Sequence, residues 1–198
     1  MTQPLLVNIA DWLPRSSANG PGHRMVIWVQ GCPFRCVGCQ NPDYLEFKLN
    51  QVVTVEQIWQ KFQQLPDLAG ISISGGEPFA QAVALADLAR RVQSVGKTVV
   101  CWTGYQLERL QLNNIPGSQE FLNHIDLLVD GLFIQQQISN QPLRGSNNQT
   151  LHFLSGRIVE ADVVNIPRQE WVLGSDTLTY TGFPVEYPQV DQGGVETR

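Results

Sequence analysis

The 198-residue sequence has little charge, and basic residues are the scarcer kind. Charged residues make up 16% of the chain, and 13 lysines and arginines face 18 aspartates and glutamates, giving a net charge of −5. A protein that binds duplex nucleic acid usually shows a basic excess or a basic stripe, and neither is present here. We therefore expect no nucleic-acid partner.

Long apolar runs are also missing. No stretch approaches the roughly 18 consecutive apolar residues that a membrane helix needs. The N-terminal MTQPLLVNIADWLP has no basic region before its apolar residues and carries Asp11 directly after them, which is unlike a signal peptide. We expect a cytoplasmic protein that is not associated with a membrane.

Cysteine is scarce, but three of the four cysteines are close together. Cys32, Cys36 and Cys39 form a C-x3-C-x2-C pattern directly after a predicted strand, whereas Cys101 lies apart in an apolar run. Four cysteines are too few for a disulfide scaffold of this size, and the close spacing is typical of metal ligands. Three thiolates can bind a [4Fe–4S] cluster and leave its fourth iron open to a small molecule.

Two other interpretations of the cysteines remain open at this point. The loop could hold structural zinc with a histidine as fourth ligand, although His23, His124 and His152 are not at zinc-finger spacing from it. The cysteines could also be unconnected buried thiols. The spacing favours a cluster over both.

The pattern along the chain predicts an α/β fold with a mostly parallel sheet. Short β-branched runs alternate with helical patterns, which is typical of βα units. We predict strands at 25–30, 70–74, 98–102, 126–130 and 151–154. We predict helices at 54–65, where Thr54 and Gln57 suggest a capping box, at 78–95, with an apolar stripe that includes Val83, and at 106–111.

After about residue 156 the pattern changes to period 2. Residues 157–166 and 170–181 alternate as in a β-hairpin, with a turn at 174–176, and the tail from Gly182 is rich in Pro, Gly and polar residues. We therefore divide the chain into a domain at residues 1–155 and a C-terminal extension at 156–198, hairpin-like and then irregular.

A Gly-Gly-Glu-Pro segment follows the predicted strand at 70–74 and opens the next helix. Gly75 and Gly76 leave backbone groups bare for close approach to a ligand, and Pro78 suits a first helical turn. In open α/β sheets ligands bind beyond the carboxyl ends of strands, which is where this segment lies. An ordinary strand-to-helix turn is the alternative.

Together these segments resemble the radical S-adenosylmethionine (radical SAM) superfamily, and within it the anaerobic ribonucleoside-triphosphate reductase activating proteins. Six motifs occur in that family's order and spacing over about residues 15–155: NGPGHR at 19–24, the cysteine loop at 31–41, GISISGGEP at 70–78, WTGY at 102–105, LVDG at 128–131 and LRGSNNQ at 143–149. Many superfamily members have an aromatic residue before the last cysteine. Gly38 stands there in this chain, as in the activating proteins.

The resemblance implies a set of site residues. Cys32, Cys36 and Cys39 would ligate a [4Fe–4S] cluster whose fourth iron binds SAM through its amino and carboxylate groups. The GGE segment, Gly75, Gly76 and Glu77, would contact the SAM amino group, and the stretch Val37, Gly38 and Cys39 would lie against the adenine.

Three further residues are candidates for the same cavity. Thr103 and Asp130 end predicted strands, and Arg144 could pair with the SAM carboxylate, because a guanidinium matches a carboxylate bidentately. A helix N-cap, a turn aspartate and a solvated surface arginine are the respective alternatives.

The resemblance also implies an incomplete (β/α) barrel and a reaction. Since a full (β/α)8 barrel takes roughly 250 residues, a βα pattern that ends near residue 155 leaves one side open. The implied activity is reductive SAM cleavage that forms a glycyl radical on anaerobic ribonucleotide reductase, with flavodoxin or ferredoxin as electron donor. A radical SAM enzyme for a small molecule or peptide, and a non-catalytic Fe–S or zinc module, are the alternatives.

Overall fold

A seven-stranded sheet organises the protein, and its four central strands are parallel. The computed structural model describes residues 3–112, 114–173 and 178–183. The strands are β1 (Leu6–Ser16), β2 (Arg24–Val29), β3 (Gln51–Thr54), β4 (Gly70–Gly75), β5 (Thr98–Trp102), β6 (Leu127–Asp130) and β7 (Thr150–Phe153). Their order across the sheet is β3-β1-β2-β4-β5-β6-β7. Strands β2, β4, β5 and β6 are parallel, while β1, β3 and β7 pair antiparallel with their neighbours.

The predicted α/β class and parallel central sheet are confirmed. The central strands are largely buried on both faces, as parallel strands between two layers must be. Strands β1 and β3 were not predicted. Strand β1 carries register shifts between Ile9 and Asp11 and between Leu13 and Ser16, which break the period-2 pattern that sequence reasoning depends on.

One face of the sheet is covered by helices. They are α1 (Val55–Gln63), α2 (Ala82–Ser94), α3 (Leu107–Gln111) and α4 (Ser118–Asn123). The predicted capping box is present at α1, where the Gln57 backbone N–H donates to Thr54 Oγ1 at 3.1 Å. The predicted helix at 78–95 begins with a separate 3-10 turn, Pro78–Gln81. Val83 was wrongly placed in its buried stripe, since it is 50% exposed.

The other face of the sheet is covered by the C-terminal segment. Successive residues of β5 and β6 point to opposite faces, so Val100 and Val129 belong to this second core. Four residues that follow the parallel sheet complete it: Ile158, Val163, Ile166 and Phe183. The C-terminal segment therefore supplies one layer of the protein.

The C-terminal segment is a short helix followed by a two-stranded antiparallel sheet. Helix α5 spans Glu160–Val163, and β8 (Gln169–Leu173) pairs with β9 (Leu178–Gly182). The expected strand at 157–166 is wrong, because its buried residues face the sheet from a helical turn rather than alternating. The proposed turn at 174–176 and the tail beyond Phe183 lie outside the described residues.

Polar contacts fix this two-stranded sheet to the end of β1. Glu170 Oε2 accepts hydrogen bonds from Ser16 Oγ at 2.7 Å and from the Ser17 backbone N–H at 2.8 Å. Burial opposes ionisation of Glu170, but these hydrogen bonds outweigh it and lower the pKa of the carboxyl group. Asn19 Nδ2 donates to Thr181 Oγ1 at 2.9 Å. Contacts between residues more than 150 positions apart thus hold β8 and β9 in place.

A buried arginine joins the amino-terminal ends of three strands. Arg24 is fully buried and donates to Ser72 Oγ, to the carbonyls of Pro21 and Ile71, and to both oxygens of Thr98. Burial lowers its pKa to about 9, so it stays charged at neutral pH.

Within the described part of the chain, no helix combines the length and apolar character needed to cross a membrane.

Candidate functional site

The cysteine loop begins where β2 ends and is held by backbone and side-chain hydrogen bonds. The Gly31 N–H donates to the Tyr44 carbonyl at 2.9 Å, and the Cys32 N–H donates to the Leu45 carbonyl at 3.0 Å. Arg35, inside the cysteine motif, donates from Nη1 to the Cys32 and Phe34 carbonyls at 2.5 and 2.8 Å. The loop shape is therefore fixed by the chain itself.

The three loop cysteines line one cavity of about 120 Å³. All are free thiols, and Cys32 is buried while Cys36 and Cys39 are half-buried. Burial raises the pKa of Cys32 to about 11 and also raises that of Cys39, so a bound cation would be needed to hold them as thiolates.

This donor set fits an iron–sulfur cluster. Thiolates are the ligands such clusters take, and the three cysteines of a cubane site each reach a different iron atom. In the residues that the structure describes, no three His, Cys, Asp or Glu side chains are grouped so as to hold a single metal ion. Cys101 is fully buried in the helix-side core, does not line the cavity, and burial raises its pKa well above the usual value.

The Gly-Gly turn lies directly against the cysteine loop. The Gly76 N–H donates to the Val29 carbonyl at 2.7 Å, and the Glu77 N–H donates to the Gly31 carbonyl at 2.8 Å. A Cβ at Gly76 would stand 2.2 Å from the Gly31 oxygen, and Gly75 has a φ of 104°. These glycines are thus required by backbone packing. Both glycines line the cavity.

A buried carboxylate ties the ends of β4 and β5 together. Glu77 is 1% exposed and accepts hydrogen bonds from the Phe79 N–H, Thr103 Oγ1 and the Gly104 N–H, at 2.8–2.9 Å. Burial raises its pKa to about 7, against the opposing effect of these donors. Glu77 and Thr103 both line the cavity, so the structure brings these two predicted residues together with the cysteines.

The remaining predicted residues lie elsewhere. Val37 is 72% exposed, Gly38 is also exposed, and neither lines the cavity. Asp130 Oδ2 accepts from the Leu107 N–H at 2.7 Å at the start of α3 and lies 3.0 Å from His152 Nε2. Arg144 is not among the lining residues, although its neighbour Gly145 is. The roles predicted for these four residues toward SAM stay predictions.

Several lining residues were not predicted from sequence. Gln149 accepts from the Gly145 N–H at 2.8 Å and donates to the Gly131 carbonyl at 3.0 Å, which joins two loops at the rim of the cavity. The aromatic residues Phe34, Phe133, Trp102 and Phe183 also line it. The Phe183 ring packs on Trp102 with 5.7 Å between ring centroids. Phe183 follows β9 and belongs to none of the six motifs, so no sequence signal could have identified it.

Comparisons with known proteins identify the family. A sequence-family profile described as "4Fe-4S single cluster domain" matches residues 18–152. The anaerobic ribonucleoside-triphosphate reductase-activating protein of Vibrio cholerae is 35% identical over 155 residues, which is 74% of this chain and 97% of the relative. The protein of the same name from Escherichia coli K12 is 32% identical over 158 residues, 75% of this chain and 99% of the relative.

A solved structure, that of QueE from Escherichia coli, has a TM-score of 0.43 and 15% identity, covering 61% of this chain and 68% of that chain. This likeness is too distant to bear on function. The two sequence relatives, by contrast, match the chain along nearly their whole length. The chain belongs to the family of anaerobic ribonucleoside-triphosphate reductase-activating proteins, which are radical SAM enzymes with an iron–sulfur cluster, and the resemblance seen in the motifs is confirmed.

Proposed function

We propose that this member of the activating-protein family cleaves SAM at a [4Fe–4S] cluster and forms a glycyl radical on an anaerobic ribonucleoside-triphosphate reductase. The observation that carries the proposal is the single cavity lined by Cys32, Cys36, Cys39, Gly75 and Gly76. It combines a thiolate set for iron with bare backbone for a small polar ligand. The names of the relatives supply the protein substrate.

The cluster, when bound, would supply the one electron needed for reductive cleavage of a carbon–sulfur bond of SAM, and the overall reaction would yield methionine, 5′-deoxyadenosine and a glycine that has lost a hydrogen atom from its α-carbon. Cys32, Cys36 and Cys39 would each ligate one iron and leave the fourth for SAM. Backbone carbonyls at Gly75 and Gly76 would accept hydrogen bonds from the SAM amino group. Neither glycine could carry a side chain there without displacing backbone.

The chain's own residues would also keep the cavity dry and rigid. The aromatic side chains of Phe34, Phe133, Trp102 and Phe183 form much of the wall. Exclusion of water protects a reactive radical from side reactions. Glu77 contributes by fixing the two strand ends on which the cavity is built, since its carboxyl group accepts three hydrogen bonds from the chain itself.

The same proposal includes an incomplete barrel and a partner. The sheet ends in the antiparallel strands β3 and β7 rather than closing on itself within the described residues, which supports a half-open barrel. Residues 1–155 would carry the chemistry and residues 156–198 would extend the fold. Flavodoxin or ferredoxin would donate the electron, and the cytoplasm, where thiols stay reduced, would be the site of the reaction.

Anaerobic reconstitution with iron and sulfide tests the first half of the proposal. The wild-type protein and Cys101→Ala should develop cluster absorbance and, with dithionite, convert SAM into methionine and 5′-deoxyadenosine. Cys32→Ala, Cys36→Ala and Cys39→Ala should each lose both properties. A loop variant with a normal cluster, or loss of the cluster in Cys101→Ala, would show that the ligand assignment is wrong.

The second half is tested with the reductase from the same organism. After anaerobic incubation with the reconstituted protein, SAM and reductant, the reductase should show a glycyl-radical EPR signal. If SAM is cleaved but the reductase shows no glycyl-radical EPR signal, the protein-substrate proposal fails, and a small-molecule or peptide substrate takes its place. If SAM is not cleaved although the cluster forms, the protein is a non-catalytic iron–sulfur module.

A further inference from the structure

A second cavity lies beside the cluster cavity, and β9 forms one of its walls. Its volume is about 340 Å³, which is in the range of ligand pockets. The two cavities share four lining residues, namely Gln40, Asn41, Ser74 and Phe183. A molecule held in the second cavity would therefore be a direct neighbour of whatever occupies the first.

The lining of the second cavity is neutral and rich in hydrogen-bonding groups. Amides and hydroxyls dominate it: Asn19, Gln40, Asn41, Tyr44, Ser74, Thr179, Tyr180 and Thr181. Its one ionisable carboxylate is Asp11, and no Lys, Arg or His is among the described residues that line it. Phosphate and carboxylate groups are recognised by cationic side chains, so an anionic metabolite is poorly matched to this wall.

An extended peptide matches the same wall well. Each residue of a peptide backbone carries one N–H donor and one C=O acceptor, and both need partners when they leave water. Side-chain amides offer donors and acceptors together, and hydroxyls offer both as well. A segment with a small residue would fit without displacing the aromatic rings of Trp28 and Phe183 that also line the cavity.

The wall formed by β9 is supplied by the part of the chain that the family profile does not cover. The profile ends at residue 152, whereas β9 and Phe183 lie 25 or more positions later. This wall is built firmly, because Thr181 accepts from Asn19 and Glu170 accepts from Ser16. The Phe183 N–H also donates to the Arg168 carbonyl at 2.7 Å.

We infer that the second cavity receives an extended, glycine-bearing segment of the protein substrate, and that Thr179 and Phe183 position this segment beside the cofactor. The inference rests on the proposed function and deepens it by naming two residues, both beyond the span of the family profile, that position the substrate segment. Thr179 lines the cavity from β9, and Phe183 stands where the two cavities meet.

The test places a bulky residue in the cavity and compares it with the same change at the adjacent, exposed position of β9. Thr179→Trp fills the second cavity, whereas Leu178→Trp replaces a neighbour that is 61% exposed and does not line it. Three readouts are taken on each reconstituted protein: cluster absorbance, SAM cleavage without reductase, and the glycyl-radical EPR signal with reductase.

We expect Thr179→Trp to keep its cluster and SAM cleavage while glycyl-radical formation falls by at least about tenfold, since small misplacements of reacting groups are costly. Leu178→Trp should keep all three within about twofold, as surface changes usually do. Normal radical formation in Thr179→Trp overturns the inference and leaves the proposed function intact. If the wild-type protein itself raises no radical, the proposed function fails and the inference falls with it.

A photo-crosslink gives an answer even if Thr179→Trp folds badly. p-Benzoylphenylalanine at position 179 or 178 is irradiated in the complex with the reductase, and the crosslinked peptides are mapped by mass spectrometry. Position 179 should crosslink to the peptide that contains the acceptor glycine, and position 178 should not. A crosslink from position 179 to a different region of the reductase, or none at all, overturns the inference.

Discussion

Helix α5 and its flanking residues should be as important for stability as the parallel sheet that they cover. We expect Ile158→Ala and Val163→Ala to destabilise the protein strongly, because both side chains pack on the sheet and are 2% and 6% exposed. Val164, the next residue, is 62% exposed. Val164→Ala is therefore a matched control in which the same atoms are removed one position further along.

The size of the effect follows from burial. Truncating a buried isoleucine to alanine costs about 2–5 kcal/mol of the free energy of unfolding, and removal of the methyl groups of a buried valine costs about 1.5–3 kcal/mol. Truncating an exposed valine to alanine should lower the free energy of unfolding by no more than about 0.5 kcal/mol. At about 2–4 °C per kcal/mol for a chain of this size, Ile158→Ala should lower Tm by roughly 4–20 °C.

Thermal unfolding followed by circular dichroism, with urea unfolding as a second measure, checks this prediction on the protein without its cluster. Equal Tm values for Val163→Ala and Val164→Ala would refute the reasoning, because the C-terminal segment would then contribute no core. Deleting all residues after Gly156 should lower the free energy of unfolding far more than any single substitution. It removes four buried side chains worth about 6–12 kcal/mol together, comparable with the total stability of a domain.

Three further predictions concern residues around the cavity and at the opposite end of the sheet. Gly76→Ala should impair cluster assembly, measured by absorbance after reconstitution, because its Cβ would meet the Gly31 oxygen and displace the cysteine loop. Burial holds the Glu77 pKa at about 7, against 4.5 for an ordinary glutamate, so between these values the folded state retains a proton that the unfolded state has lost. The free energy of unfolding of the cluster-free protein should therefore fall by about 3 kcal/mol as pH rises through that window, and urea titrations of Glu77→Gln should lack this fall. Arg24→Met should cost at least about 3 kcal/mol, because buried acceptors lose their donor, while Arg90→Met, on the surface, should cost less than about 1 kcal/mol.

The sequence predicts the central strands well, and the reason is local. Strands β2, β5 and β6 are mainly apolar, and β4 alternates isoleucine with serine between glycines, so their own composition identifies them. Strand β1 is not predicted, because two register shifts interrupt the alternation of its buried and exposed residues. The segment at 157–166 is misread because Ile158, Val163 and Ile166 meet the sheet at intervals that match neither period cleanly.

At the site, residues of distinctive type and spacing can be predicted from the sequence. Residues whose position depends on contacts between distant parts of the chain cannot. The cysteines and the Gly-Gly turn can be recognised from their residue types and their spacing in the sequence. Asp130 ends a strand that points toward the cavity, yet its carboxylate binds the first free N–H of α3, a role that strand position alone does not reveal. The orientation of such a side chain depends on a neighbour 23 positions away.

The motifs themselves serve the fold as much as the cofactor. Arg24 and Gln149 belong to these motifs, and both form hydrogen bonds that join strand ends and loop corners of the chain itself. Glu77 is likewise occupied by donors from its own chain. Phe183, which belongs to no motif, touches the cavity directly. The motifs therefore identify the family and much of its scaffold, whereas Phe183 reaches the cavity from a segment that the family profile does not cover.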